Sequence, residues 1–157
     1  MPPQNLEALL ARETFPGQAP AENGIIHDWL VARGAEYDGI EFSVHVGQGQ
    51  QPNLEHLPAI QAMTRFVTQK RVDAVARRGN TFALVEVKER INPGVLGQLR
   101  TYRQLYLEDH PDVDEVALLA IGRRSDPDTL RVLSAEGVDV LLYESEQDAS
   151  GVAAGGL

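Results

Sequence analysis

Two carboxylates and an amine stand out in this 157-residue sequence because one short loop fixes how they meet. Residues 71–77 and 81–88 are rich in β-forming side chains, and the Gly79-Asn80 pair between them is a hairpin signal. With those two residues as the loop, Arg78 faces Thr81, and stepping outward brings Asp73 opposite Glu86. Opposed Cβ atoms lie about 4.5–5.5 Å apart, where like charges destabilise a sheet unless something positive lies between them. Alternation puts Glu86 and Lys88 on one side of the strand and Val85 and Val87 on the other, so a single face presents Asp73, Glu86 and Lys88. Mg²⁺, or Mn²⁺ in its place, is held by one or two carboxylates with retained waters and substrate phosphate, which is what this set offers. The cation would acidify a water and neutralise charge building on a phosphate, with the Lys88 ammonium orienting that water, so the reaction class is phosphodiester hydrolysis. On its own, an Asp followed by Glu-x-Lys has low specificity, and a solvated strand edge with Lys88 as counterion is the plainer account.

The elements around the hairpin follow from periodicity and breakers. Asn5 is placed to cap a helix over 6–13, and residues 15–20, with Pro16, Gly17 and Pro20, break the chain. A second helix is predicted over 21–33, with Ile26, Trp29 and Leu30 inward and Gly34 as its stop. Residues 40–46 alternate Ile40, Phe42, Val44 and Val46 against Glu41, Ser43 and His45, the pattern of a half-buried strand. Residues 47–53 are a polar, Gly-rich loop, and 54–68 carry Leu57, Ile60, Met63 and Phe66 at roughly helical spacing, with Pro58 limiting where a helix can begin. Val95, Leu99, Tyr102 and Tyr106 mark one stripe of a long helix ending near Asp109. A buried strand over 116–121 follows, then a helix opened by Asp126-Pro127 and closed by Gly137, then a strand over 138–143. Strands interleaved with helices imply a three-layer α/β/α sandwich with a central mixed sheet. The organisation expected is an N-terminal helix and breaker segment over 1–20, one α/β domain over 21–143, and a tail of small residues over 144–157.

Asp73, twelve intervening residues, then Glu86-Val87-Lys88, on two hairpin strands that follow a helix and a strand, resembles the PD-(D/E)xK nuclease superfamily over roughly residues 21–121. Val72 stands where the family name has proline. The resemblance implies a restriction-endonuclease-like fold and a Mg-dependent deoxyribonuclease, with Asp73 and Glu86 as metal ligands and Lys88 as the catalytic lysine. One large branch carries a Gln and a Tyr four residues apart on the next helix, and Gln98 and Tyr102 match that pattern. Spacing by i, i+4 puts both on one helix face, although Tyr102 also lies on the apolar stripe and core packing would account for it. Many members contribute a Glu from the first core helix to the metal, and Glu22 fits, four residues before Ile26 and seven before Trp29. The alternative is that Glu22 stabilises the helix N-terminus through the backbone dipole. A catalytically silent nuclease-like domain, used for DNA binding or assembly, is the other function this resemblance allows. It also implies a homodimer, since many members pair to cut two strands, but the sequence singles out no dimer face.

The net charge of −9 at first argues against nucleic acid, because phosphate repels a like-charged protein. Its distribution reverses that inference. Between Arg65 and Arg103 nine basic residues stand against three acids, a local balance of +6 that leaves −15 for the rest. Arg71, Arg77, Arg78, Arg90, Arg100 and Arg103 belong to that segment and are the residues expected to track a DNA backbone. Solvated charges on a hairpin tip and a helix face are the competing account. No cysteine is present, which excludes disulfide scaffolds, thiolate zinc sites and cysteine nucleophiles and fits a reducing compartment, the cytoplasm by expectation. No apolar run approaches the roughly 18 residues of a membrane span. His27, His45, His56 and His110 lack zinc-motif spacing, no serine sits in a nucleophile elbow, and the loop after Val46 lacks the Lys-Ser/Thr of a phosphate-binding loop.

Overall fold

Ile25, Ile26, Trp29 and Leu30 recur on one side of α2 (Pro20–Arg33), and all four are buried. The computed structural model describes residues 5–145, and in it α2 covers one face of a five-stranded sheet. The strands are β1 (Gly39–Val46), β2 (Lys70–Arg78), β3 (Thr81–Arg90), β4 (Val116–Arg124) and β5 (Val138–Leu142), in that spatial order. β1, β2 and β3 pair antiparallel, while β3, β4 and β5 pair parallel through the two helices that connect them. The sheet is mixed, as expected. Those connecting helices, α4 (Gly94–Asp109) and α5 (Pro127–Ala135), cover the other face, where Leu84, Leu118 and Ala120 pack with Val95, Leu99, Tyr106 and Leu133. Two apolar cores separated by one sheet make the α/β/α sandwich that the strand and helix order predicts.

Local chemistry explains most boundaries. Pro20 occupies the first turn of α2, where a missing N–H does no harm. Asp126 caps α5, accepting from the Thr129 backbone N–H at 2.9 Å and its hydroxyl at 2.7 Å, which holds its carboxyl below the usual range. Gly79 takes φ 60° in the β2–β3 hairpin, the left-handed position that a turn with glycine first requires. The hairpin register is the expected one, Arg78 opposite Thr81.

Two expectations, the extent of the first helix with its cap and the alternation of β1, are corrected. The first helix, α1 (Leu6–Leu10), stops before Glu13, and Asn5 makes no side-chain cap; its carbonyl takes the Leu9 N–H instead. Gly34 follows the last residue of α2 as expected, and at φ −55° it leads into a 3-10 turn over Gly34–Glu36. A Cβ there would lie 2.7 Å from Leu6 Cδ1, so glycine serves the close packing of α1 on α2. Within residues 5–19, Leu9 and Phe15 are buried in the α2-side core. The alternation of β1 breaks at Ser43, whose φ of 54° turns the strand: Ile40 and Phe42 pack on the α2 side, Val44 and Val46 on the α4 side. The ambiguous segment 54–68 contains a helix, α3 (Pro58–Thr68), none of whose residues is buried; Leu57, Met63 and Phe66 stay largely exposed. Of the tail expected over 144–157, residues 146–157 lie outside the described residues.

Gly122 of β4 pairs with Lys88 of β3, and a Cβ at Gly122 would lie 2.4 Å from the Lys88 carbonyl oxygen and 2.9 Å from Ile91 Cγ1. Because the first of these is backbone, the strands would have to part. Gly122→Ala is expected to lower stability by about 1–3 kcal/mol, read as a lower urea midpoint at unchanged slope; an unchanged midpoint would disprove the tight approach.

Candidate active site

The β2–β3 ladder runs from Arg78↔Thr81 only as far as Ala74↔Val85. Asp73 and Glu86 come next, opposite each other by register, but the backbones no longer pair there. In place of a main-chain acceptor, the Asp73 carboxylate takes the Val87 N–H, Oδ2 to N at 2.8 Å. The neighbouring ladder has its gap at the same place: β1 and β2 pair at Phe42↔Ala74 and Val44↔Val72, skipping Ser43 and Asp73. Val72 accordingly packs on the α4 side and Ala74 on the α2 side, so Asp73 marks a reversal in β2 that mirrors Ser43 in β1. The sheet opens here on both sides of one aspartate.

Glu86 is only 3% exposed, on the face shared with Leu84. Its Oε1 lies 3.7 Å from Lys88 Nζ, while Oε2 is buried and receives no donor, a proton shared with Asp73 being the hydrogen bond open to the carboxyl pair. Burial, then the negative charge of Asp73, outweighs Lys88 and raises the Glu86 carboxyl to about 8. Tyr102 of α4 faces the same carboxylates; burial, then the charges of Glu86 and Asp73, pushes its phenol up, against a hydrogen bond with Gln98. Gln98 and Tyr102 thus meet each other, Tyr102 lies within reach of the charges of the carboxylate pair, and Tyr102 also packs against the α4-side core. Glu22 serves the helix terminus, Oε2 accepting the Ala19 N–H at 3.1 Å, and its charge still contributes to raising Glu86.

Sequence reasoning missed Gln18. From the connector before α2, its Nε2 donates to Asp73 Oδ1 at 3.1 Å across 55 residues of chain. No periodicity signals such a contact, and only the buried Phe15 nearby ties the connector to the core.

The six arginines divide. Arg71 and Arg90 are exposed and lie two residues from Asp73 and Lys88, at the open end of the hairpin. Arg77 and Arg78 sit at the closed end, within 3.7 Å of Asp38 and 3.9 Å of Glu36, respectively. Arg100 pairs with Glu136, just beyond α5, and Arg103 is half-buried on α4. The hairpin therefore does not bring all six to the carboxylates.

Among the described residues no three acidic or histidine side chains converge into a preformed metal cage. The chemistry of the set still fits a divalent cation: two opposed carboxylates, one with a buried orphan oxygen, in an opening where retained waters would complete the shell. Asp73 and Glu86 would hold it.

Comparison with solved structures gives the following matches. A repair endonuclease from Pyrococcus abyssi matches over 85% of this chain and 50% of its own, with TM-score 0.50 and 12% identity. An EndoMS–dsDNA2 complex matches at TM-score 0.47 and 13% identity, covering 85% of this chain and 49% of that one. A protein of unknown function matches at TM-score 0.45 and 11% identity over 73% of this chain and 53% of its own. The chain thus spans about half the length of these structures. No family model matches, and no curated protein does. At this identity the likeness to the repair endonuclease is one of fold, and it bears out the restriction-endonuclease-like α/β/α arrangement that the motif implies.

A carboxyl raised from 4.5 to about 8 binds a proton more tightly in the folded state. Its contribution is full below about 4.5 and is lost as pH rises to about 8. Metal-free protein should therefore lose thermal stability across that window, and Glu86→Gln should flatten this component; parallel melting profiles for the two proteins would sink the assignment.

Proposed function

We propose that this chain is a metal-dependent nuclease that hydrolyses DNA phosphodiester bonds, with Asp73 and Glu86 as metal ligands and Lys88 as the catalytic amine. The observation that carries this reading is the end of the β2–β3 ladder, where the backbones part and two carboxylates face each other with Lys88 beside them. A stable sheet has no use for a buried glutamate that receives no donor at Oε2 and stands against a second carboxylate. A divalent cation bound there supplies charge for the phosphoryl oxygens and an acidified water.

The protein's own groups have distinct parts. Asp73 is held by its bond to Val87 N–H, so it cannot rotate away when a phosphate arrives. Lys88, about one-third exposed, reaches solvent from a buried carboxylate and is the group placed to orient water and meet the developing negative charge. Gln98 and Tyr102 brace the inner wall, their mutual hydrogen bond fixing the phenol that faces the pair. DNA as the polymer rests on the positive segment around the hairpin and on analogy with the fold's repair endonuclease. Arg71 and Arg90 are the backbone contacts nearest the chemistry, Arg103 lies further along α4, and Arg77, Arg78 and Arg100 would have to leave acidic partners to take part. One copy holds one such site, so a homodimer is the arrangement that would cut both strands together. Among the described residues no helix is long and apolar enough to cross a membrane, and the cytoplasm is the compartment that goes with a DNA substrate.

The test is cleavage of plasmid, single-stranded and branched DNA with Mg²⁺ or Mn²⁺ and with chelator, beside Lys88→Ala. Cleavage should require metal and fall about 100-fold or more in the variant. Equal cleavage by the variant, or none by wild type on any substrate, would remove the enzyme reading, and binding without cleavage would establish the silent DNA-binding domain instead. Arg71→Ala should weaken DNA binding and shallow its salt dependence by about one counterion, whereas Arg78→Ala, at the closed end, should leave both unchanged.

A further inference from the structure

We propose that Gln18 is a positioning residue for Asp73 and supplies the third protein oxygen of the cation site, an inference that rests on the metal-dependent reading above. Three observations converge on it. Gly17, at φ 75°, lets the connector press on the one break in the β1–β2 ladder, since a Cβ there would lie 3.0 Å from Ser43 Oγ. The Gln18 amide nitrogen then reaches Asp73 Oδ1 at 3.1 Å while Val87 N–H holds Oδ2 at 2.8 Å, so both oxygens of the aspartate are fixed by donors.

The orientation of the amide is set by chemistry, because an ionised carboxylate accepts only and the nitrogen must be the end that faces it. The amide oxygen consequently points elsewhere. It is buried and has no hydrogen-bond partner. Glu86 Oε2 is buried and likewise receives no donor, and both side chains converge on Asp73, Glu86 by a hydrogen bond that needs a shared proton. Of the buried side-chain oxygens left unpartnered among the described residues, these two belong to an amide carbonyl and a carboxylate, the oxygen types that ligate hard divalent cations. Buried acceptors left unsatisfied destabilise a fold, so two of them around one carboxylate mark a place that a cation or its water completes. The connector before α2 thereby becomes part of the site: its amide aligns one ligand and its carbonyl adds another.

The experiment compares wild type, Gln18→Leu and Gln18→Glu by calorimetric titration with Mn²⁺ and by melting with and without Mn²⁺. Gln18→Leu keeps the volume and removes both the donor and the oxygen, and its Mn²⁺ affinity should fall at least about tenfold. Gln18→Glu places a third carboxylate at the cluster, so it should melt lower than wild type without metal and gain more than wild type when Mn²⁺ is added. A role confined to packing would lower both melting temperatures and leave the Mn²⁺-induced gain as in wild type, which would overturn the inference. If circular dichroism shows Gln18→Leu unfolded, Gln18→Glu decides by the size of that gain. Wild type without any Mn²⁺ heat would remove the cation site itself and this inference with it, whereas wild-type binding shared by both variants removes only the role of Gln18.

Discussion

One carboxylate standing in for a backbone carbonyl organises this molecule. When Asp73 takes the Val87 N–H, β2 can leave β3 without stranding a donor, and side chains rather than main chain then face each other across the two strands. The same residue interrupts the β1–β2 ladder, and Ser43 accommodates this by adopting a backbone conformation that non-glycine residues rarely take. Strain of that kind costs on the order of 1–3 kcal/mol. It is sustained here by the surrounding order: Val44 and Val46 bury on one face, Ile40 and Phe42 on the other, so the turn at Ser43 serves both cores.

The opening sets an electrostatic problem that the rest of the site answers in part. Glu86 is buried beside another carboxylate, and the nearest ammonium, on Lys88, stands 3.7 Å from the oxygen that is not orphaned. Left to itself the pair retains a proton to about pH 8. A divalent cation would take the place of that proton, since both relieve the same repulsion, and so metal affinity and acidity are two readings of one arrangement. Tyr102 and Gln98 close the inner wall from α4, the connector carrying Gln18 closes the outer one, and Glu22 adds negative potential while tying down the start of α2.

Charge along the chain and charge in space are different quantities. The hairpin segment is positive in sequence, but two of its arginines are held at the closed end by Asp38 and Glu36, and Arg100 is held by Glu136. Lys88, Arg71, Lys70 and Arg90 lie close along the strands to the carboxylates, Arg90 also acting on Asp126. In a chain of net charge −9 they confine positive potential to one end of the hairpin.

The hairpin was legible because a two-residue loop fixes its own register: from Gly79-Asn80 alone follow the opposition of Asp73 and Glu86 and the shared face of Glu86 and Lys88. The layer order was legible for a similar reason, since buried parallel strands must alternate with helices that cover them. Gln98 and Tyr102 were picked out by the motif resemblance, and helical spacing, which is as local as the turn, put them on one face. What spacing could not supply was anything set by two distant segments at once. The end of the ladder at Ala74, the reversal at Ser43, the arrival of Gln18 from 55 residues away, and the capture of Arg77 and Arg78 by acids before β1 each depend on which segments meet. Periodicity assigns a residue to a face of its own strand or helix; only tertiary packing decides what that face touches.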